Sequence, residues 1–154
     1  MTLQASVPAV VTAILAATTT AVAGQTSAAG SPVQVIDGEL GTYVADEYIQ
    51  IIGAAGAQAL ASVGNLWRDE DYTIQGLIRV YVGGDDTAYT RNRAFALLAL
   101  LEQSLTADRS LGGLLVLPGM AQLGRFDLRN GVTSKGGRAS ELAFEIDVHN
   151  QIRT

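Results

Sequence analysis

Tyr72-Thr-Ile-Gln-Gly-Leu-Ile-Arg-Val-Tyr-Val82 decides how this chain folds. One set of alternate positions reads Tyr72, Ile74, Gly76, Ile78, Val80 and Val82, and the other reads Thr73, Gln75, Leu77, Arg79 and Tyr81. Successive side chains of a strand point to opposite faces, so an alternation of this length predicts a long strand with one face on a core. Gly83-Gly84 ends it.

Beyond that stop, Asp85, Asp86 or Thr87 can cap a helix whose stripe Ala94, Leu97, Leu98, Leu101 and Leu105 follows helical spacing. Phe95 and Leu100 fall outside the stripe, so this helix is apolar around much of its circumference. Further on, Leu111-Gly-Gly-Leu-Leu-Val-Leu-Pro118 reads as a turn entering a short buried strand, and Met120–Arg129 as a further strand or edge. Gly131–Gly137 reads as a turn. The closing strand, Leu142–Ile152, points Leu142, Phe144, Ile146, Val148 and Ile152 inward and Glu145, Asp147, His149 and Gln151 outward.

Upstream of the long strand, Val33–Ile36 and Glu47–Ile52 are short β-branched and aromatic runs with the composition of strands. Gly53–Ser62 is rich in Ala and Gly without a clear period, and reads either as a flexible loop or as an extended arm. Residues 23–32 are small and polar and form a loop. Before them, Leu3, Val7, Val10, Val11, Ile14, Leu15 and Thr18 recur at the spacing of an amphipathic helix. Ser6 stands at its N-cap position and Pro8 in its first turn, where the missing N–H removes no helical bond. The opposite face, Ala9, Thr12, Ala13, Ala16 and Thr19, carries no charge. Val7–Ala17 followed by Ala21-Val22-Ala23 has the outline of a signal sequence, but no Lys or Arg precedes it and Thr18-Thr19-Thr20 interrupts it. It is also too short to span a membrane.

The order helix, strands, helix, strands predicts a single α+β domain over residues 1–154: a mixed, mainly antiparallel sheet with two helices packed on one face. Its length of 154 residues suits one core. Composition narrows the function. Charged residues are only 16% and apolar ones 48%, and the net charge of −5 lacks the basic surplus of a nucleic-acid binder. The first basic residue is Arg68. Absence of cysteine removes disulfides, thiolate metal sites and cysteine nucleophiles.

A search for chemistry finds little. His149 is the only histidine, and neither a Gly-x-Ser-x-Gly elbow, nor a Walker loop, nor a Gly-x-Gly-x-x-Gly motif occurs. Glu145, Asp147 and His149 share one strand face, yet neighbours on such a face lie about 6.6–6.8 Å apart, so a metal there needs a ligand from elsewhere. Arg68-Asp-Glu-Asp71 reads as a charged turn, and Asp85-Asp86 as a helix-capping pair. No cofactor and no catalytic residue is expected. The uncharged helix residues Ala9, Thr12, Ala13, Ala16, Phe95 and Leu100 are instead candidates for a subunit interface, because obligate interfaces are more apolar than ordinary surface.

Several stretches carry a family resemblance. Trp67-Arg-Asp-Glu-Asp-Tyr-Thr-Ile74, Thr90-Arg-Asn-Arg-Ala-Phe-Ala-Leu-Leu98, Leu105-Thr-Ala-Asp-Arg-Ser-Leu-Gly-Gly113 and the strand Glu141–Arg153 resemble tail terminator proteins of long-tailed phages, especially those of actinobacterial phages. The likeness extends over residues 5–153, and in the first third it is one of layout. It implies a virion structural protein: a homohexameric ring, built in the host cytoplasm, that caps the tail tube, ends its polymerisation and joins it to head-completion proteins. Its partners would be further copies of itself, the tube protein and the head–tail connector, with DNA passing through the lumen unbound. Rival readings are another head–tail adaptor or a tube subunit, and a small exported binding protein or enzyme using His149 with Glu145 or Asp147.

Overall fold

The computed structural model describes residues 6–62, 67–116 and 120–153. Its elements run α1 (Val7–Ala21), β1 (Gln34–Asp37), β2 (Glu47–Ser62), β3 (Trp67–Val82), α2 (Thr87–Ala107), β4 (Met120–Val132) and β5 (Arg138–Arg153). The strands form one sheet in the order β1-β2-β3-β5-β4, in which only the β1–β2 pair is parallel. The expected α+β class is what the chain adopts. α2 lies over β3, β5 and β4, and α1 lies beside it towards β1 and β2.

The alternation around Ile74 explains the layering. Ile74, Ile78 and Val80 of β3 and Leu142, Phe144, Ile146 and Val148 of β5 form a buried floor, onto which α2 sets Ala94, Leu97, Leu98, Leu101 and Leu105. α1 adds Val10 and Ile14, both fully buried. Removing this much apolar surface from water is the main force holding the layers together. Gly76 is required at its place, because a Cβ there would stand 2.2 Å from the ring of Phe144 on the neighbouring strand.

Four local expectations need correction. Of the two readings of Gly53–Ser62 the loop fails and the extended one holds: the segment continues β2 along β3, past a register shift between Ile51 and Gly53. Ala and Gly are poor strand formers, but β strength depends on context, and the ladder with β3 overrides propensity here. Arg68-Asp-Glu-Asp71 is no turn either, since it belongs to β3 and pairs with both β2 and β5. Third, the expected turn forms, with Leu111, Gly112 and Gly113 all at positive φ, but Leu114–Val116 after it is turn and irregular chain where a short buried strand was expected. The Asp108 carboxylate accepts from Ser110 and from the amide of Gly112 and holds this turn, and those bonds keep its pKa below the usual value. The expected end at Pro118 lies outside the described residues, as does Leu3 of the first helix. Fourth, Ser6 occupies the N-cap position of α1, where its carbonyl accepts from the Val10 amide but its side chain makes no capping bond to the helix.

Other expectations hold closely. Asp86 caps α2 by accepting from the Tyr89 amide at 2.9 Å, and Met120–Val132 is a strand at one edge of the sheet. Ile152 is half-buried where full burial was expected, because it lies at the end of β5 beyond the helices' cover. Among the described residues, no helix is long and apolar enough to cross a membrane.

Candidate assembly surfaces

The exposed side of α1 presents Ala9, Thr12 and Ala16, with Ala13 half-buried beside them. Thr12, Thr19 and Thr20 turn their hydroxyls back onto the carbonyls of Pro8, Leu15 and Ala16, at 2.9, 2.8 and 3.1 Å. Those hydroxyls are thereby satisfied within the helix, and the surface they leave carries no charge. Phe95 and Leu100 of α2 are less free than these. Both are half-buried against the core, and Phe95 meets Phe126 of β4 edge-on, with ring centroids 5.6 Å apart.

The face of the sheet turned away from the helices has a different chemistry. Register aligns Asp69 with Gln151, Asp71 with His149, Thr73 with Asp147 and Gln75 with Glu145. These side chains therefore form two adjoining acidic and polar rows. His149 Nδ1 lies 2.6 Å from Asp71 Oδ1, so the one histidine takes its partner from β3, while Glu145 and Asp147 share its face as the spacing requires. Among the described residues, no three groups able to hold a metal converge. Met120 and Gln122 of β4 line the cavity beside this pair.

Two buried carboxylates escaped the motif search. Glu70, 1% exposed, points to the helix side of β3, where it accepts from the backbone amide and hydroxyl of Ser6 and from Gln58 Nε2 of β2. One side chain thus ties the start of α1 to β2 and β3. The Tyr72 hydroxyl bonds Ser6 as well, at 3.0 Å, and burial raises its pKa, with the Ser6 bond opposing that rise and the charge of Glu70 adding to it. The parity of the long strand points to Glu70: counting back from Tyr72, position 70 falls on the core face. Glu47, also 1% exposed, meets Arg93 Nε of α2 at 2.8 Å. Arg93 further donates to Gln25 Oε1 and the Thr26 carbonyl, so it gathers β2, α2 and the loop after α1. No local signal joins two residues so far apart in the chain.

The sheet leaves two open margins. β1 pairs only with Tyr48–Ile51, so beyond Ile51 the side of β2 away from β3 has no neighbouring strand among the described residues. Ala54–Ala59 along it are exposed. At the other margin, β4 has β5 on one side only and exposes Phe126 (57%) and Val132 (67%). Compared with known families and curated proteins, the chain matches no family model and no curated protein significantly.

Proposed function

We propose that this chain is a virion structural protein, a tail terminator that acts by closing into a ring, docking on the tail tube and meeting the head-completion proteins, without catalytic turnover. The observation that carries the reading is the uncharged α1 face, with its hydroxyls already satisfied. A subunit of a closed ring needs two different surfaces that complement each other, one turned to each neighbour. The sequence resemblance over residues 5–153 supplies the identity of the ring, and the two open sheet margins are compatible with it. His149 lies on an open sheet face with its Nδ1 taken up by Asp71, an arrangement that accords with a structural role.

Light scattering on the purified protein, alone or with tube ends, should give six copies of the 16.1 kDa chain, about 97 kDa. A protein that stays monomeric and never binds tube ends overturns the reading. Arginine at Ala13 or Ala16 should block assembly, and at the exposed Ala16 thermal unfolding should move little, since exposed substitutions usually stay within about 0.5 kcal/mol. A tube subunit would instead polymerise into filaments, which electron microscopy of the protein mixed with tube subunits distinguishes from a protein that ends them.

A further inference from the structure

The geometry points to a specific contact between copies: the free margin of β2, from Gly53 to Ser62, takes β4 of a neighbouring copy as an added antiparallel strand. This rests on the ring reading above and names the surface through which the ring would close. Four observations lead to it.

An unpaired strand edge is a template for another strand, and proteins that keep such edges single guard them with charge, proline or bulges. Gly53-Ala-Ala-Gly-Ala-Gln-Ala-Leu-Ala-Ser62 contains no charged residue and no proline, and the register shifts of β2 fall only at its ends, between Ile51 and Gly53 and between Leu60 and Ser62, so Gly53–Leu60 runs unbroken. The β4 margin, by contrast, carries Arg125 and Arg129 with Asp127 between them, 3.5 Å from Arg129, so it keeps one cation in excess, and it has a register shift between Leu123 and Phe126.

Charge also selects between the pairings open to β2. Ala55, Ala57 and Ala59 lie opposite Thr73, Asp71 and Asp69, so only small methyls stand between a strand added to β2 and that acidic row. An added β4 would lie two strand spacings from β3, about 10 Å, a gap that an arginine side chain lying over alanine narrows towards ion-pair range. A β2–β2 pairing would instead place two acidic rows towards each other across three spacings with no cation between them.

Strand direction agrees. β2 is antiparallel to β3, β3 to β5 and β5 to β4, so β4 runs antiparallel to β2 within one chain. A neighbour generated by rotation about an axis running along the strands keeps that relation and offers β4 in the antiparallel sense, the slightly stronger ladder. The contact is heterologous, as a ring requires.

The chain has no cysteine, so introduced pairs report cleanly. Ala57→Cys would be combined in turn with Met120→Cys, Gln122→Cys and Asp127→Cys, which register places on the acidic side of β4. Within one chain the two positions lie three strand spacings apart, about 14 Å, beyond disulfide reach. Mild oxidation of at least one pair should give a ladder of covalent oligomers on a denaturing gel, absent from each single variant. Ala57→Glu and Arg129→Glu should each weaken self-association more than tenfold with unchanged thermal unfolding. A covalent dimer from Ala57→Cys alone shows β2 against β2 and overturns the inference. A ring by light scattering that yields no ladder, and that both glutamate variants still form, overturns it while leaving the ring reading in place. A chain that is monomeric throughout overturns both.

Discussion

The two halves of β2 share a strand and a partner, yet they live in different surroundings. From Glu47 to Ile51 the strand lies between β1 and β3, with Ile49 and Ile51 buried under the helices and Glu47 held by Arg93. From Gly53 to Ser62 it keeps only β3, and Ala54–Ala59 are exposed. A buried isoleucine contributes about 1.5–3 kcal/mol relative to an exposed one, whereas exposed alanines contribute almost none. The first half therefore secures the fold, and the second is a margin whose sequence is under little demand from the core. A segment so placed is available for contacts outside the chain.

The sharpest way to break this contrast is Arg93→Ala. It leaves the Glu47 carboxylate buried without its cation, and breaking such a pair costs about 3–5 kcal/mol. Urea unfolding of the variant should show a loss of that size, with α2 and the loop at Gln25 loosened together, because Arg93 bonds Gln25 and Thr26 as well. A loss below about 1 kcal/mol, the range of exposed ion pairs, would mean that the first half is held by apolar burial alone.

The second half is tied to the helix layer through Glu70, and Glu70→Gln tests that link. The glutamine keeps the shape but removes the charge that accepts from the Ser6 amide and hydroxyl and from Gln58, at an expected cost of about 1–3 kcal/mol. Hydrogen exchange should be faster at the first turn of α1 and in β2 near Gln58, and unchanged at Glu47–Ile51. If protection falls equally in both halves of β2, the halves are one cooperative unit and the distinction fails.

How legible each half was in the sequence follows from the same contrast. β3, α2 and β5 were readable because large apolar residues at Ile74, Leu97 and Ile146 mark one face against polar residues on the other. The second half of β2 was not, since both of its faces carry Ala and Gly and no alternation exists to be seen; it is a strand because β3 beside it is one. Arg68–Asp71 misled by composition: three acids in four positions suggest solvent, but parity places Glu70 inside, where Ser6 and Gln58 receive it. Leu114–Val116 misled in the opposite sense: this apolar run reads as a strand, but the turn before it, held by Asp108 with two glycines at positive φ, carries on through it. Of the proposed surface, the uncharged α1 face was readable as a pattern. The free margin of β2 was not, because an unpaired edge is a property of sheet order.

The smallest effect expected separates the halves by titration. Burial raises the pKa of Tyr72, which bonds Ser6 beside Glu70, and also that of Tyr48 at the opposite end of the sheet, where the charge of Arg79 opposes the rise. A raised phenol means that the folded state holds its proton more tightly than the unfolded chain. Each tyrosine thus contributes stability that is fully present below its ordinary value and is lost as pH climbs through the folded one. Urea midpoints followed from about pH 9 to about pH 11, across the phenol range, should fall in the wild-type chain and fall less in Tyr72→Phe. The slope that remains in the variant includes Tyr48, in the half of the sheet paired with β1. Hydrogen exchange at alkaline pH should accordingly open the first turn of α1 in the wild-type chain, where deprotonated Tyr72 would face the Glu70 carboxylate, and not in Tyr72→Phe. Equal opening in both chains would place the alkaline weakness outside the Ser6–Glu70–Tyr72 contact and leave the second half of β2 without a titrating link to the helix layer.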